Sequence, residues 1–190
     1  MDRESPHYYV ERTEESMPNT VKLIEYIQSL SPSKGVFHGT AHKPSKSYTG
    51  TFADGSPYIY PILTPRFAIS TTDQLMTSVG QLAARDPSLA IQTHISENPS
   101  EVLLTKKLFS HLPTERKSIT YAGVYDHFRL LRNNTILAHA VHLEEEELEL
   151  VKERRSGISH CPTSNFNLTS GVAKIGVMLD KEIKVGSPAS

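Results

Sequence analysis

The sequence holds a single cysteine, Cys161, in 190 residues. An intramolecular disulfide is therefore excluded, and a reducing compartment fits. An excess of charge of either sign is also missing. The formal net charge is -1, which gives no drive toward nucleic acid or an anionic membrane. No apolar run approaches the length of a membrane span. The start, Met1-Asp2-Arg3-Glu4-Ser5, is charged and has no apolar h-region, so it does not read as a secretory signal. A soluble, cytoplasmic protein is the expectation. Several site classes are missing too. There is no Gly-rich phosphate loop, no G-x-S-x-G elbow and no H-E-x-x-H helix. The cytidine-deaminase pattern H-x-E with P-C-x-x-C is absent, because Cys161-Pro162 stands in the opposite order with no second cysteine.

What remains is ordinary globular material: 37% hydrophobic and 22% charged residues. That composition supports one domain with a real core, residues 1–190. Residues 13 to 30 read as a helix with the stripe Val21, Leu23, Ile24 and Ile27. Pro18 is awkward inside it, so the regular part is expected to begin near that proline. Residues 34 to 57, rich in Gly, Ser, Thr, Lys and Pro, read as an inserted polar loop. A strand and helix alternation follows. Strands are expected at 58–63, 88–95, 135–141, 157–161 and 182–186. Helices are expected after Thr72, over 99–108, 118–131, 143–155 and 172–180. Asn98-Pro99-Ser100-Glu101 supplies a cap, a first-turn proline and a glutamate close to a capping box. Five strands alternating with helices predict a parallel α/β sheet. A closed eight-stranded barrel needs about 250 residues, so the chain is either an open sheet or part of a barrel.

The chemistry concentrates at strand ends. Thr93-His94-Ile95-Ser96-Glu97 follows an apolar run, and an imidazole there can hold a divalent metal while Glu97 moves a proton. Thr135-Ile136-Leu137-Ala138-His139 and Gly157-Ile158-Ser159-His160-Cys161-Pro162 repeat the layout. Alone, each histidine reads equally as a hydrogen-bonded core residue. Together, three strands ending in histidine suggest one mouth, the active face of α/β barrels. His160 could point inward or pack under its loop. Nothing nearby depresses the Cys161 pKa enough to suggest thiol chemistry. Arg66, after Pro65, places a planar fork where a polar ring or carboxylate could dock. His7, His38, His42, His111, His127 and His142 read as surface, His38 and His42 forming a weak loop pair.

On Thr13-Glu14-Glu15-Ser16, Thr64-Pro65-Arg66-Phe67, Gln92-Thr93-His94-Ile95-Ser96-Glu97-Asn98, Ala138-His139 and His160-Cys161-Pro162-Thr163-Ser164-Asn165, the chain resembles the guanine deaminases, zinc-dependent members of the amidohydrolase superfamily. The resemblance runs from about residue 11 to residue 186, broken by the inserted loop. It implies a partial TIM (β/α)8 barrel of about five of eight βα units. It also implies hydrolysis of guanine to xanthine and ammonia, in purine catabolism. His94 matches the family's zinc ligand at the end of strand five. Glu97 matches the proton shuttle between zinc-bound water and the purine. His139 matches the residue that steadies the attacking water, and Arg66 and Phe67 match purine contacts, with His94 and Glu97 also facing the ring. The implied cofactor is one zinc per complete site. The implied partner is guanine, and a homo-oligomer is allowed.

The departures carry equal weight. The family's first strand supplies two ligands in an H-x-H, and none occurs here. The family's last strand ends in an aspartate that binds zinc, whereas Lys184-Val185-Gly186 is followed by Ser187-Pro188-Ala189-Ser190. The expectation is an incomplete chain, with weak metal binding from His94 and His139 alone and little or no activity by itself. The alternatives are a non-catalytic barrel remnant that binds a partner through its edges, and a deaminase of another aminated ring.

Overall fold

The structure is a computed structural model that describes residues 1–29, 59–114 and 118–186. The inserted loop at 34–57 and the histidines His38 and His42 lie outside the described residues. The described chain runs α1 (Thr13–Ser29), β1 (Ile62–Leu63), α2 (Asp73–Arg85), β2 (Ala90–Ile95), α3 (Pro99–Leu108), α4 (Tyr121–His127), β3 (Thr135–His139), α5 (Glu145–Glu153), β4 (Gly157–Ser159), α6 (Pro162–Asn167), α7 (Ile175–Asp180) and β5 (Lys184–Gly186). All strand pairs are parallel, and spatial order follows sequence order, β1-β2-β3-β4-β5.

That order has no reversal, so the sheet has no switch point of the doubly wound kind. Burial agrees. Register aligns Leu63 with Ile91, Ile91 with Thr135, Thr93 with Leu137, and Leu137 with Ile158. All six of these side chains are buried on one face. Met76, Val79 and Ala83 of α2, Val124 and Tyr125 of α4, and Leu148 and Val151 of α5 join them in one apolar core. Each fully buried aliphatic contributes about 1.5–3 kcal/mol. The alternate positions Ile62, Gln92 and Ile136 are exposed. One face covered by helices and one left open is the arrangement of a barrel arc, whose inner face turns away from the helical ring.

Local signals fix most helix starts. Thr72 accepts from Leu75 N at 3.3 Å and starts α2, and Asn98 accepts from Glu101 N at 2.9 Å and starts α3. Glu144 and Glu147 form a reciprocal capping box on α5. The expectation for α1 is corrected, since the helix begins at Thr13 and runs through Pro18 in its second turn. A proline there removes one i→i−4 bond. Outside partners hold the first turn in compensation: the Thr13 hydroxyl donates to Asp2 at 2.6 Å, and Gln74 donates to Glu14 at 2.8 Å. Gly80 admits α2 against the end of α4, where a Cβ would meet the Phe128 carbonyl oxygen at 2.2 Å.

Four helices end alike. Arg129, Arg155, Thr169 and Glu182 adopt φ of 60°, 57°, 52° and 61°. In each case the next amide reaches back five residues: Leu130 to Tyr125, Ser156 to Val151, Ser170 to Asn165, and Ile183 to Met178. These are Schellman closures of α4, α5, α6 and α7, built without glycine. Among the described residues, no helix is long and apolar enough to cross a membrane.

Candidate active site

The site assembles at the carboxyl ends of β2 and β3. On β2, alternation puts His94 on the open face with Gln92, opposite buried Thr93 and Ile95. The loop from β1 fixes its ring. The Arg66 carbonyl lies 3.0 Å from His94 N and 2.6 Å from His94 Nδ1. A carbonyl only accepts, so Nδ1 carries the proton and Nε2 keeps its lone pair. Thus the Arg66 backbone, rather than its guanidinium, orients His94. The guanidinium is exposed and stands 5.4 Å over the Phe67 ring, which meets His94 edge-on at 6.3 Å.

His139 reaches the same place by a different device. It pairs in register with Ile95, not with His94. Continued alternation would send it to the covered face with Leu137. Its φ of 74°, followed by 53° at Ala140, breaks the alternation. The imidazole instead stacks on His94 at 5.1 Å, with 23° between the planes. His139 is buried, and its Nδ1 lies 2.8 Å from Asn165 Oδ1 and 3.6 Å from Glu97 Oε1. Both neighbours are acceptors, so this imidazole too holds its proton on Nδ1. Two imidazoles and one carboxylate, distant in sequence, therefore share one mouth.

Glu97 follows Ser96, which is fully buried with φ of 49°. The Ser96 carbonyl accepts from Val141 N at 3.1 Å and His142 N at 3.0 Å, tying this loop to the one after β3. The buried Oε1 of Glu97 has no hydrogen-bond partner, and neither have Ser96 Oγ, Asn165 Nδ2 and His160 Nδ1. Unsatisfied polar atoms of this kind are uncommon in a folded interior; Ser96 and Glu97 lie in the loop after β2, Asn165 in α6 and His160 just after β4. Among the described residues, no group of three or more His, Cys, Asp and Glu side chains is arranged to hold a metal ion. His94 fits as one ligand through its free Nε2, and the described residues do not complete a catalytic zinc set of three.

The His160 backbone joins β5 through Gly186 O at 2.7 Å, and its ring is half-buried. Cys161 donates to Ser159 O at 3.3 Å. His142 is corrected from a surface residue: it is half-buried, and its Nε2 donates to Ser170 O at 2.7 Å, fastening the β3 loop to the end of α6. His7, His111 and His127 are exposed as expected. Glu101 does not close a capping box on Asn98. Its side chain reaches one residue further, to Glu97 N at 3.0 Å, and also accepts from Tyr121 at 2.5 Å.

Sequence reasoning assigned no role to Asn165, Tyr121 or Tyr125. Asn165 was visible only as the last letter of a motif. The tyrosines lie four apart on α4. Their hydroxyls work beneath the site: Tyr125 donates to His94 O at 2.7 Å and meets Thr93 Oγ1 at 2.9 Å. Burial raises the pKa of both phenols well above the ordinary value, so both remain donors across the physiological range.

Residues 6–187 match the Amidohydrolase family. The chain is 46% identical over 98% of its length to "Probable guanine deaminase" of Schizosaccharomyces pombe, and 39% identical over 98% to "Guanine deaminase" of Dictyostelium discoideum. It spans about a third of these relatives, 30% and 34% of their lengths. Among solved structures, guanine deaminase from C. acetobutylicum with bound guanine in the active site superposes with a TM-score of 0.77 at 31% identity, over 98% of this chain and 37% of that one. The five strands and the helices between them are thus an arc of a TIM barrel, and the chain belongs to the amidohydrolase family.

Proposed function

We propose that this chain carries part of the catalytic wall of a guanine deaminase, an aminohydrolase converting guanine and water to xanthine and ammonia. The observation that carries this reading is the convergence of His94, Glu97 and His139, with Glu97 Oε1 3.6 Å from His139 Nδ1 and otherwise unpartnered. The similarity to guanine deaminases supports the choice of substrate, and in this reading Arg66 and Phe67 would offer the purine a cation and an aromatic ring.

In this reading His94 offers Nε2 to a zinc ion whose other ligands lie beyond the described set. A bound zinc would lower the pKa of an attached water toward neutrality. Glu97 would take one proton of the attacking water and return it to a ring nitrogen, and the second water proton would pass to the amino group, which leaves as ammonia as its C–N bond breaks and the carbonyl forms. His139 accepts from that water through Nε2, while Asn165 holds its Nδ1 proton. The reaction is one of purine catabolism, and the single cysteine fits a cytoplasmic setting. Residues 1–190 are proposed to form one domain.

The test is xanthine formation from guanine by purified protein carrying this chain, compared with Glu97→Gln. The amide keeps the shape and loses the base, so kcat is expected to fall about 10²–10⁴-fold. Equal turnover by the variant, or preferential hydrolysis of another aminated ring, would defeat the reading. A second reading has its own observation: Ile62 and Ile136 are exposed on the open face of the sheet at 36% and 42%. That exposure favours a chain that works only when further polypeptide covers the face. Turnover by the 190-residue chain alone would exclude it.

A further inference from the structure

Glu101 is a buried carboxylate, 6% exposed, in the first turn of α3. A carboxylate there could serve only the helix dipole, but its two oxygens are committed elsewhere. Oε1 accepts from the Tyr121 hydroxyl at 2.5 Å, and Oε2 accepts from the Glu97 amide at 3.0 Å. The Glu97 amide is the first donor after Ser96, whose left-handed φ of 49° is disfavoured for a residue with a Cβ. A conformation of that kind persists only where its surroundings overdetermine it. Glu101 on one side, and Val141 and His142 on the other, supply the restraint. Tyr121 in turn packs against Tyr125, ring centroids 5.4 Å apart, and Tyr125 holds the carbonyl of His94. One buried tyrosine pair therefore suspends both His94 and Glu97.

We propose that Glu101 is a positioning residue that fixes the Glu97 backbone, and through it the Glu97 carboxylate, beside His139. Its place in a reaction rests on the deaminase reading, but the restraint itself does not. Glu101 acts by accepting two hydrogen bonds with two oxygens, and Tyr121 keeps one of those oxygens from rotating away. Glutamine retains the volume but loses the negative charge and one acceptor oxygen, so the charge-assisted bond to the Glu97 amide is weakened.

The experiment is amide hydrogen exchange, resolved by residue, on purified protein carrying this chain and on its Glu101→Gln variant, with kcat and KM for guanine measured alongside. Exchange at the Glu97 amide is expected to rise about tenfold or more, as a charge-assisted bond is lost, while the buried Thr105 of the same helix keeps its protection. kcat should fall about tenfold with KM within about twofold, because substrate contacts are untouched. Unchanged exchange at Glu97, or an equal rise at Thr105, would overturn the proposal, the latter by showing a merely structural carboxylate. Should Glu101→Gln fail to fold, Tyr121→Phe carries the test. Its expected rise at Glu97 is smaller, about threefold, since the carboxylate remains but swings more freely, and no rise would overturn the proposal. A wild-type protein that exchanges as expected but turns over no guanine would defeat the deaminase reading and leave the role of Glu101 standing.

Discussion

Among the described residues, left-handed backbone at residues other than glycine clusters in two settings, with Glu4 of the N-terminal segment apart from both. At the ends of α4, α5 and α7 it falls on Arg129, Arg155 and Glu182, whose side chains are exposed. There it only closes a helix and turns the chain into the next strand. At the strand ends it falls on Ser96, His139 and Ala140, all buried. There it aims a side chain. His139 crosses to the face of His94 because of it, and Glu97 leaves its strand because of it. The same strain is thus incidental at the helix ends and directed at the rim. Glycine should relieve both, with opposite consequences for function.

The largest effect is expected where the rim depends on a side chain to hold a strained residue in place. Asn165 is 1% exposed and holds the Nδ1 proton of His139 at 2.8 Å. Asn165→Ala should lower stability by about 1–3 kcal/mol, since the His139 donor loses its partner. Turnover should fall about 10–100-fold, as for partners that orient functional imidazoles. Chemical denaturation and steady-state kinetics check the two. A variant with full turnover would separate the orientation of His139 from the chemistry and weaken the contrast between rim and helix end.

Ser96→Gly is the sharper instrument. It removes a left-handed penalty of about 1–2 kcal/mol and a buried hydroxyl with no partner. Against this stands the greater unfolded-state entropy of glycine, about 0.4–1 kcal/mol. Stability is expected to hold or rise slightly. Turnover is expected to fall several-fold, because Glu97 gains freedom. Unaltered kcat with raised stability would make the rim strain as incidental as that of the helix ends.

This contrast also marks what the sequence could reveal. The strand count, the helix starts at Thr72 and Asn98, and the parallel order were readable because each rests on local chemistry or periodicity. His94 was readable as a site residue because regular alternation on β2 delivers it to the open face. His139 was readable only by its place at a strand end; by alternation alone it belongs to the covered face, and no residue type announces a left-handed histidine. Arg66 was read for its guanidinium, whereas its carbonyl does the orienting, and backbone roles leave no mark on residue identity. Glu101, Tyr121 and Tyr125 matched helix-cap and core patterns so well that their hydrogen bonds into the site were hidden behind them. Pro18 misled for the opposite reason: a local penalty was outweighed by contacts with Asp2 and Gln74, which lie outside the helix.

The smallest effect is also the cleanest control. Arg155→Gly and Glu182→Gly replace exposed residues at Schellman positions, where glycine carries no Cβ penalty. Relief of about 1–2 kcal/mol exceeds the entropic cost of about 0.4–1 kcal/mol, so each should gain roughly 0.5–1 kcal/mol. Neither loses a strong contact. Glu182 meets Lys152 only at 3.9 Å between exposed side chains, and Lys184 bonds the Arg155 carbonyl, which glycine retains. Thermal unfolding should show each midpoint rise by a few degrees, with guanine turnover unchanged. A midpoint that falls would mean that these helix ends rely on side-chain contacts for their stability, and the distinction between an incidental and a directed left-handed residue would lose its reference.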